Sequence, residues 1–310
     1  MHEGSKKAII AAFAANLAIA VAKLVGFFLT GAASMLAEAV HSGADTTNQG
    51  LLFLGGARAR KTATTEHPFG YGRERYFWAF VVALVIFMLG SLFALFEGIE
   101  KLREPHELES AGVAVAILLV AMACEGFSLR TAIKESTHTK GEEGWWSFIR
   151  HSKTPELPVV LLEDFGALIG LVLALLGLAL AEITGNPRFD AIGSIAIGIL
   201  LGVIAITLVV EMKSLLIGEA ASPATVAKIR QAMESSDKVD RVIHLRTQHL
   251  GPEELLVGAK LAFATTLDLR GLAAAIDETE VLVRAAVPEA RMIYIEPDIH
   301  RDAAAPVTSP

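Results

Sequence analysis

Six apolar blocks run through the first two thirds of the chain, and the charged residues crowd between them. The blocks lie near 8–29, 33–57, 76–99, 111–131, 157–181 and 190–211. Each is long enough for the ~20 residues of helix that a hydrocarbon core requires. Past Glu211 the pattern shortens. Residues 224–235 predict a helix, with Ser222-Pro223 as cap and first-turn signal. Strands follow over 240–248 and 254–264, turned at Gly251-Pro252, then a helix over 269–286 and a strand over Arg291–Glu296. The expected architecture is an all-α six-helix transmembrane domain over 1–214. A small α+β ferredoxin-like domain over 219–301 follows it in the cytoplasm, and the end, 302–310, is expected to be disordered.

Composition agrees with that division. Mean hydropathy is +0.50 and 53% of residues are hydrophobic, yet 20% are charged, so the charges must be segregated into loops and the soluble tail. A net charge of -7 gives no sign of nucleic-acid binding. The single cysteine, Cys124, excludes an intrachain disulfide and a thiolate cluster, and its small neighbours suit packing in a helix bundle. Arg58, Arg60, Lys61, Arg73 and Arg75 lie between the second and third blocks, and Lys134, Lys140, Arg150 and Lys153 between the fourth and fifth. Only Lys101, Arg103 and Arg188 fall on the other side, so both termini are expected in the cytoplasm. Met1 to Lys7 is polar and basic, with neither a cleavage site nor an Arg-rich transit pattern. A multi-pass protein of a prokaryotic plasma membrane is the expectation.

Acidic residues inside the apolar blocks carry the chemistry. A carboxylate at bilayer depth costs at least ~2.5 kcal/mol, so it persists where it faces a cavity, a partner or an ion. Glu38, His41, Asp45 and Asn48 share one helix face in the second block, with Glu38 and Asn48 as secondary candidates for the metal. His41 and Asp45 are one turn apart, and an imidazole with a carboxylate makes half of a tetrahedral site for a borderline metal. Glu163 and Asp164 stand together in the fifth block. Such ligands bind metal only when deprotonated, so protonation from an acidic outer compartment would expel the ion. Other polar residues read more simply. Glu125 suits a salt bridge or hydrogen bond to a neighbouring helix, Lys23 snorkels or pairs, and Trp145-Trp146 with Phe148 suits an interfacial anchor. His138, His151, His244, His249 and His300 read as solvated or hydrogen-bonded side chains. No GxxxxGK[ST] loop and no His-Glu-x-x-His occurs, and no serine is paired with a histidine as a nucleophile. A nucleotide-driven pump and an intramembrane metalloprotease are thereby disfavoured, and no cofactor is expected.

Four strings in order carry a resemblance. They are Glu38-Ala-Val-His41-Ser-Gly-Ala-Asp45-Thr-Thr-Asn48, the loop His67-Pro-Phe-Gly-Tyr-Gly-Arg73-Glu-Arg75-Tyr76, Val159-Val-Leu-Leu-Glu163-Asp164, and Ile183-Thr-Gly-Asn-Pro-Arg-Phe-Asp190. Over residues 5 to 300 the chain resembles the cation diffusion facilitator family, and within it the divergent branch typified by animal zinc transporter nine. The resemblance implies a homodimer of six-helix subunits that exports a divalent cation, usually zinc, in exchange for protons. It makes His41, Asp45 and Asp164 ligands of the transported ion. Many members place a His or Asp where this chain has Val160. Glu163 is the natural substitute, although it lies about 100° from Asp164 around a helix. Otherwise three protein ligands and water would hold the ion. His67 marks a weaker site in the loop, where Tyr71 stands in the place of a second His. In the tail, Ile243, Lys260 and Glu296 stand where ligands are usual and Asp298 alone matches. Mn²⁺, Fe²⁺, Co²⁺ or Ni²⁺ would also suit the ligands, and the lost ligand at Val160 leaves a transport-dead membrane scaffold as the alternative.

Overall fold

The computed structural model describes residues 33–104 and 111–299, together with helical positions 17, 20, 21, 24 and 25. The rest of the expected first span, Lys23, His300 and the end of the chain lie outside the described residues, as do the side chains of Glu38, His41, Asp45 and His138. The described chain divides into two compact units. One holds residues up to Arg60 and Glu74–Lys213; the other holds Lys61–Arg73 and Ser214 onward.

The first unit is helical: α1 is Ala33–Arg58, α2 is Glu74–Arg103, α3 is Ala111–Lys140, α4 is Trp145–His151, α5 is Glu156–Thr184 and α6 is Arg188–Ile217. Among the described residues, α2, α5 and α6 are long and apolar enough to cross a membrane, which is three helices against the six spans expected. Helix α3 runs nine residues past the apolar block assigned to it, since no Gly or Pro interrupts Arg130–Lys140 and Gly141, at positive φ, ends it. Helix α2 contains a π-helical stretch at Val82–Phe87, which the apolar pattern gives no sign of.

Close packing and charge pin these helices together. Gly177 in α5 and Gly193 in α6 approach so nearly that a Cβ on Gly177 would lie 3.4 Å from the Gly193 Cα and 3.0 Å from the Phe189 carbonyl oxygen. The Ser91 hydroxyl of α2 donates to the Gly198 carbonyl of α6 at 2.7 Å. Arg75 grips Glu156 with two nitrogens, Nε–Oε1 at 2.5 Å and Nη2–Oε2 at 2.9 Å, joining the first turns of α2 and α5. At the other end of α2, Lys101 reaches Asp190 of α6 at 3.1 Å. Phe148, expected beside the tryptophans at the membrane surface, is instead buried, and Arg150 of the same short helix bonds Glu211 of α6 at 2.9 Å. Trp145 and Trp146 are exposed.

In the second unit, α7 is Pro223–Glu234, β1 Val239–Gly251, β2 Glu254–Phe263, α8 Leu269–Ala286 and β3 Met292–Asp298. Ser222 caps α7 by accepting from the Thr225 amide, and Asp268 caps α8 by accepting from the Gly271 amide at 2.7 Å. Strand β2 lies between β1, antiparallel, and β3, parallel, so α8 is the crossover that a parallel pair requires. Ile229 and Met233 of α7, Val257 and Leu261 of β2 and Ala275 and Val283 of α8 are buried in one core. The small C-terminal domain is therefore α/β, with a three-stranded sheet.

The loop Lys61–Arg73 belongs to this second unit. Its last residues lie against the β1–β2 hairpin. A Cβ on Gly72 would lie 2.7 Å from the Leu250 carbonyl oxygen and 3.1 Å from the Gly251 Cα, too close for any side chain without movement. Gly72→Ala is expected to lift the loop from the hairpin at a cost of about 1–3 kcal/mol, typical of overpacking. Limited proteolysis measures this: trypsin should cut at Lys61 and Arg73 faster in the variant. Cleavage at the wild-type rate would show that the loop yields without loss.

Candidate metal centre

The backbone of α1 carries His41, Asp45 and Asn48 on successive turns of one face, as their spacing requires. From α5, Glu163 and Asp164 leave the helix about 100° apart, and each meets a different neighbour. Asn48 Nδ2 donates to Glu163 Oε1 at 2.7 Å, tying α5 to the helix that bears His41 and Asp45. The Ser128 hydroxyl of α3 donates to Asp164 Oδ2 at 2.8 Å. Asn48 is 2% exposed and Asp164 7%. Two adjacent carboxylates thus sit among three helices, with neutral donors rather than an arginine or lysine at these two contacts.

That arrangement suits a cation. An ionised carboxylate only accepts, so the Asn48 nitrogen must face Glu163 and its Oδ1 must face away. The Oδ1 is buried and has no hydrogen-bond partner among the described residues. Val160 packs with Ala132, Ile149 and Leu161 in an apolar cluster. Among the described residues no three His, Cys, Asp or Glu side chains gather in metal-binding geometry; the side chains of His41 and Asp45 fall outside that set. Neither Ser128 nor the Asn48–Glu163 bond was singled out from sequence. A serine one turn above Cys124 carries no signal, and Asn48 meets Glu163 only across 115 residues of chain.

The family model of the cation efflux transmembrane domain matches residues 9–217. The chain belongs to the cation efflux family. It is 32% identical over 263 residues, 84% of this chain and 46% of the relative, to the proton-coupled zinc antiporter SLC30A9, mitochondrial, of Mus musculus. To metal tolerance protein C4 of Arabidopsis thaliana it is 30% identical, over 84% of this chain and 57% of that protein. To the magnetosome protein MamB of Paramagnetospirillum magneticum it is 21% identical, over 92% and 90%. The chain spans about half the length of the curated animal relatives it matches. A nickel form of a MamM C-terminal domain aligns with 26% of the chain at 15% identity and a TM-score of 0.25. Cation efflux proteins are transporters, not enzymes, and the metal is cargo rather than cofactor. The chain is an integral membrane protein. The animal relatives are named as mitochondrial, which gives the expected prokaryotic plasma membrane no support.

Two further places in this cation efflux chain carry residues of metal-ligand type, the loop at His67 and the C-terminal sheet. His67 stacks on Tyr71 with ring centroids 4.6 Å apart, in a turn where the Gly70 amide donates to the His67 carbonyl. On the open face of the C-terminal sheet, His244, Lys260 and Glu296 form one cross-strand row. There the Lys260 ammonium stands 3.0 Å from Glu296 Oε1 and 3.3 Å from Asp298 Oδ2. Its hydrogen bonds to Glu296 and Asp298 raise its pKa above the ordinary lysine value. The raised value means that this contribution is complete below the unfolded pKa of ~10.4 and fades only as pH rises through the folded value. At neutral pH a fixed cation therefore already occupies the two carboxylates. Adding EDTA should leave the thermal unfolding temperature of the C-terminal domain within the full chain unchanged at pH 7. A clear drop would mean that metal holds His244, His249 or Asp298.

Proposed function

We propose that this protein exports a divalent cation, zinc foremost, in exchange for protons, with His41, Asp45 and Asp164 as ligands and Glu163 as the fourth. The observation that carries the reading is the Asn48–Glu163 bond, which puts a carboxylate of α5 on the helix that bears His41 and Asp45. An imidazole with three carboxylates suits zinc, though Mn²⁺ or Fe²⁺ would accept the same donors. Two relatives named for proton-coupled zinc antiport support the choice. Metal release follows from protonation of the ligands, so a proton gradient drives the cycle without a nucleotide. We place both termini in the cytoplasm by the positive-inside rule and take the working unit to be a homodimer.

Proteoliposome flux tests the assignment. Asp45→Ala and Asp164→Ala should each abolish zinc transport while the protein stays inserted and monodisperse, since each removes a charged ligand. Near-normal flux in either variant would refute the site. Glu163→Gln keeps the size and can still bond Asn48 through its own amide. If Glu163 binds metal, this variant should weaken zinc affinity nearly as much as Asp164→Asn does. A mild effect would leave Glu163 as a tether between α1 and α5.

A further inference from the structure

Asn48 holds a buried carboxamide in a part of the chain where every polar group is costly. Its nitrogen is committed to Glu163 at 2.7 Å. Its oxygen is buried without a hydrogen-bond partner among the described residues, and the residue is 2% exposed. Leaving such an acceptor unmade is costly, and more so where no water can substitute. The reverse amide orientation would set oxygen against carboxylate and is worse. The oxygen therefore points away from Glu163, on the helix face that also carries Asp45 one turn earlier. A buried, neutral oxygen without a partner, on the helix face that carries Asp45, is a donor a cation can use.

We propose that Asn48 Oδ1 is itself a ligand of the transported cation and sets its selectivity. This rests on the reading that His41, Asp45 and Asp164 hold the ion. Four donors, His41, Asp45, Asp164 and Glu163, satisfy the tetrahedron that zinc takes. A fifth, carbonyl-type oxygen adds what zinc does not need and what manganese does, since carboxylate and carbonyl donors suit the harder ion. Asn48 thus widens the range of cations that the site accepts, rather than tightening zinc. Its amide nitrogen meanwhile holds Glu163 in place.

The test is titration of the full-length protein in nanodiscs with Zn²⁺ alone and with Mn²⁺ alone. Asn48→Leu, which fills the same space without polar atoms, should lower Mn²⁺ affinity by about tenfold or more, with Zn²⁺ affinity far less affected. Asn48→Asp, which keeps an oxygen there, should bind Mn²⁺ at least as tightly as the wild type. With Co²⁺ as the probe, the visible d–d bands should intensify in Asn48→Leu as the site moves toward four-coordination. Equal effects on both metals, or no change in affinity and spectrum, would overturn the proposal and leave Asn48 a tether. Loss of Mn²⁺ binding in Asn48→Asp would overturn it also. Asp164→Asn separates the two readings. If that variant still binds Zn²⁺ normally, the site itself is misplaced; if it does not, failure of the Asn48 variants bears on the present inference alone.

Discussion

A polar group inside hydrocarbon must find a partner within the protein, and that requirement organises the helical unit. Water is not there to donate to a stray carbonyl or carboxylate. Threonines such as Thr207 turn back to their own helix, at the Val203 carbonyl, while other polar side chains become links to a second helix. Asn48 to Glu163 joins α1 to α5, Ser128 to Asp164 joins α3 to α5, and Ser91 to the Gly198 carbonyl joins α2 to α6. Dispersion between the helices adds to this, most closely where small residues let backbones meet, as at Gly177 and Gly193. Where the helices leave the apolar zone, ion pairs take over, with Arg75 on Glu156 and Lys101 on Asp190. Hydrogen bonds fix register in the middle, and charges fix the ends.

Most of the element plan was legible because hydrophobic period is a strong signal. Helix α5, expected over 157–181, runs Glu156–Thr184, and α6, expected over 190–211, runs Arg188–Ile217. The tail's two helices and three strands fall within a few residues of their caps and turns, because Ser222-Pro223 and Gly251-Pro252 are local marks. What escaped was set by long-range contact. The docking of Lys61–Arg73 on the β1–β2 hairpin depends on two glycines, Gly72 and Gly251, that are far apart in sequence. Phe148 looked like a surface anchor because it follows two tryptophans; the turn of α4 puts it inside instead.

The candidate site was legible by residue type and not by partnership. Acidic residues in apolar blocks stand out in any sequence, so Glu163 and Asp164 were visible at once. That they reach different helices follows from their 100° separation, but which helices cannot be read from spacing. The sheet of the C-terminal domain shows the converse case. Lys260 occupies a position where the resemblance puts a metal ligand, and its ammonium sits between Glu296 and Asp298 as a covalently attached cation. Electrostatically it does there what a bound ion would do, at fixed stoichiometry and without dependence on metal supply.

The contrast between these two carboxylate pairs bears on transport. At Lys260 a positive charge is built into the chain at neutral pH, so this pair is already compensated. At Glu163 and Asp164 the partners identified, an amide and a hydroxyl, are neutral donors. Neutral donors stabilise a carboxylate without cancelling its charge, which at these two contacts suits the proposed role of binding a divalent ion and releasing it on protonation. The same bonds tie α5 to α1 and to α3. On the proposed assignment, an ion that recruits these oxygens would compete with the bonds that hold the helices, so metal occupancy and helix packing would be coupled through the same atoms. That coupling is the physical requirement for any carrier that must present one site to two sides of a membrane in turn.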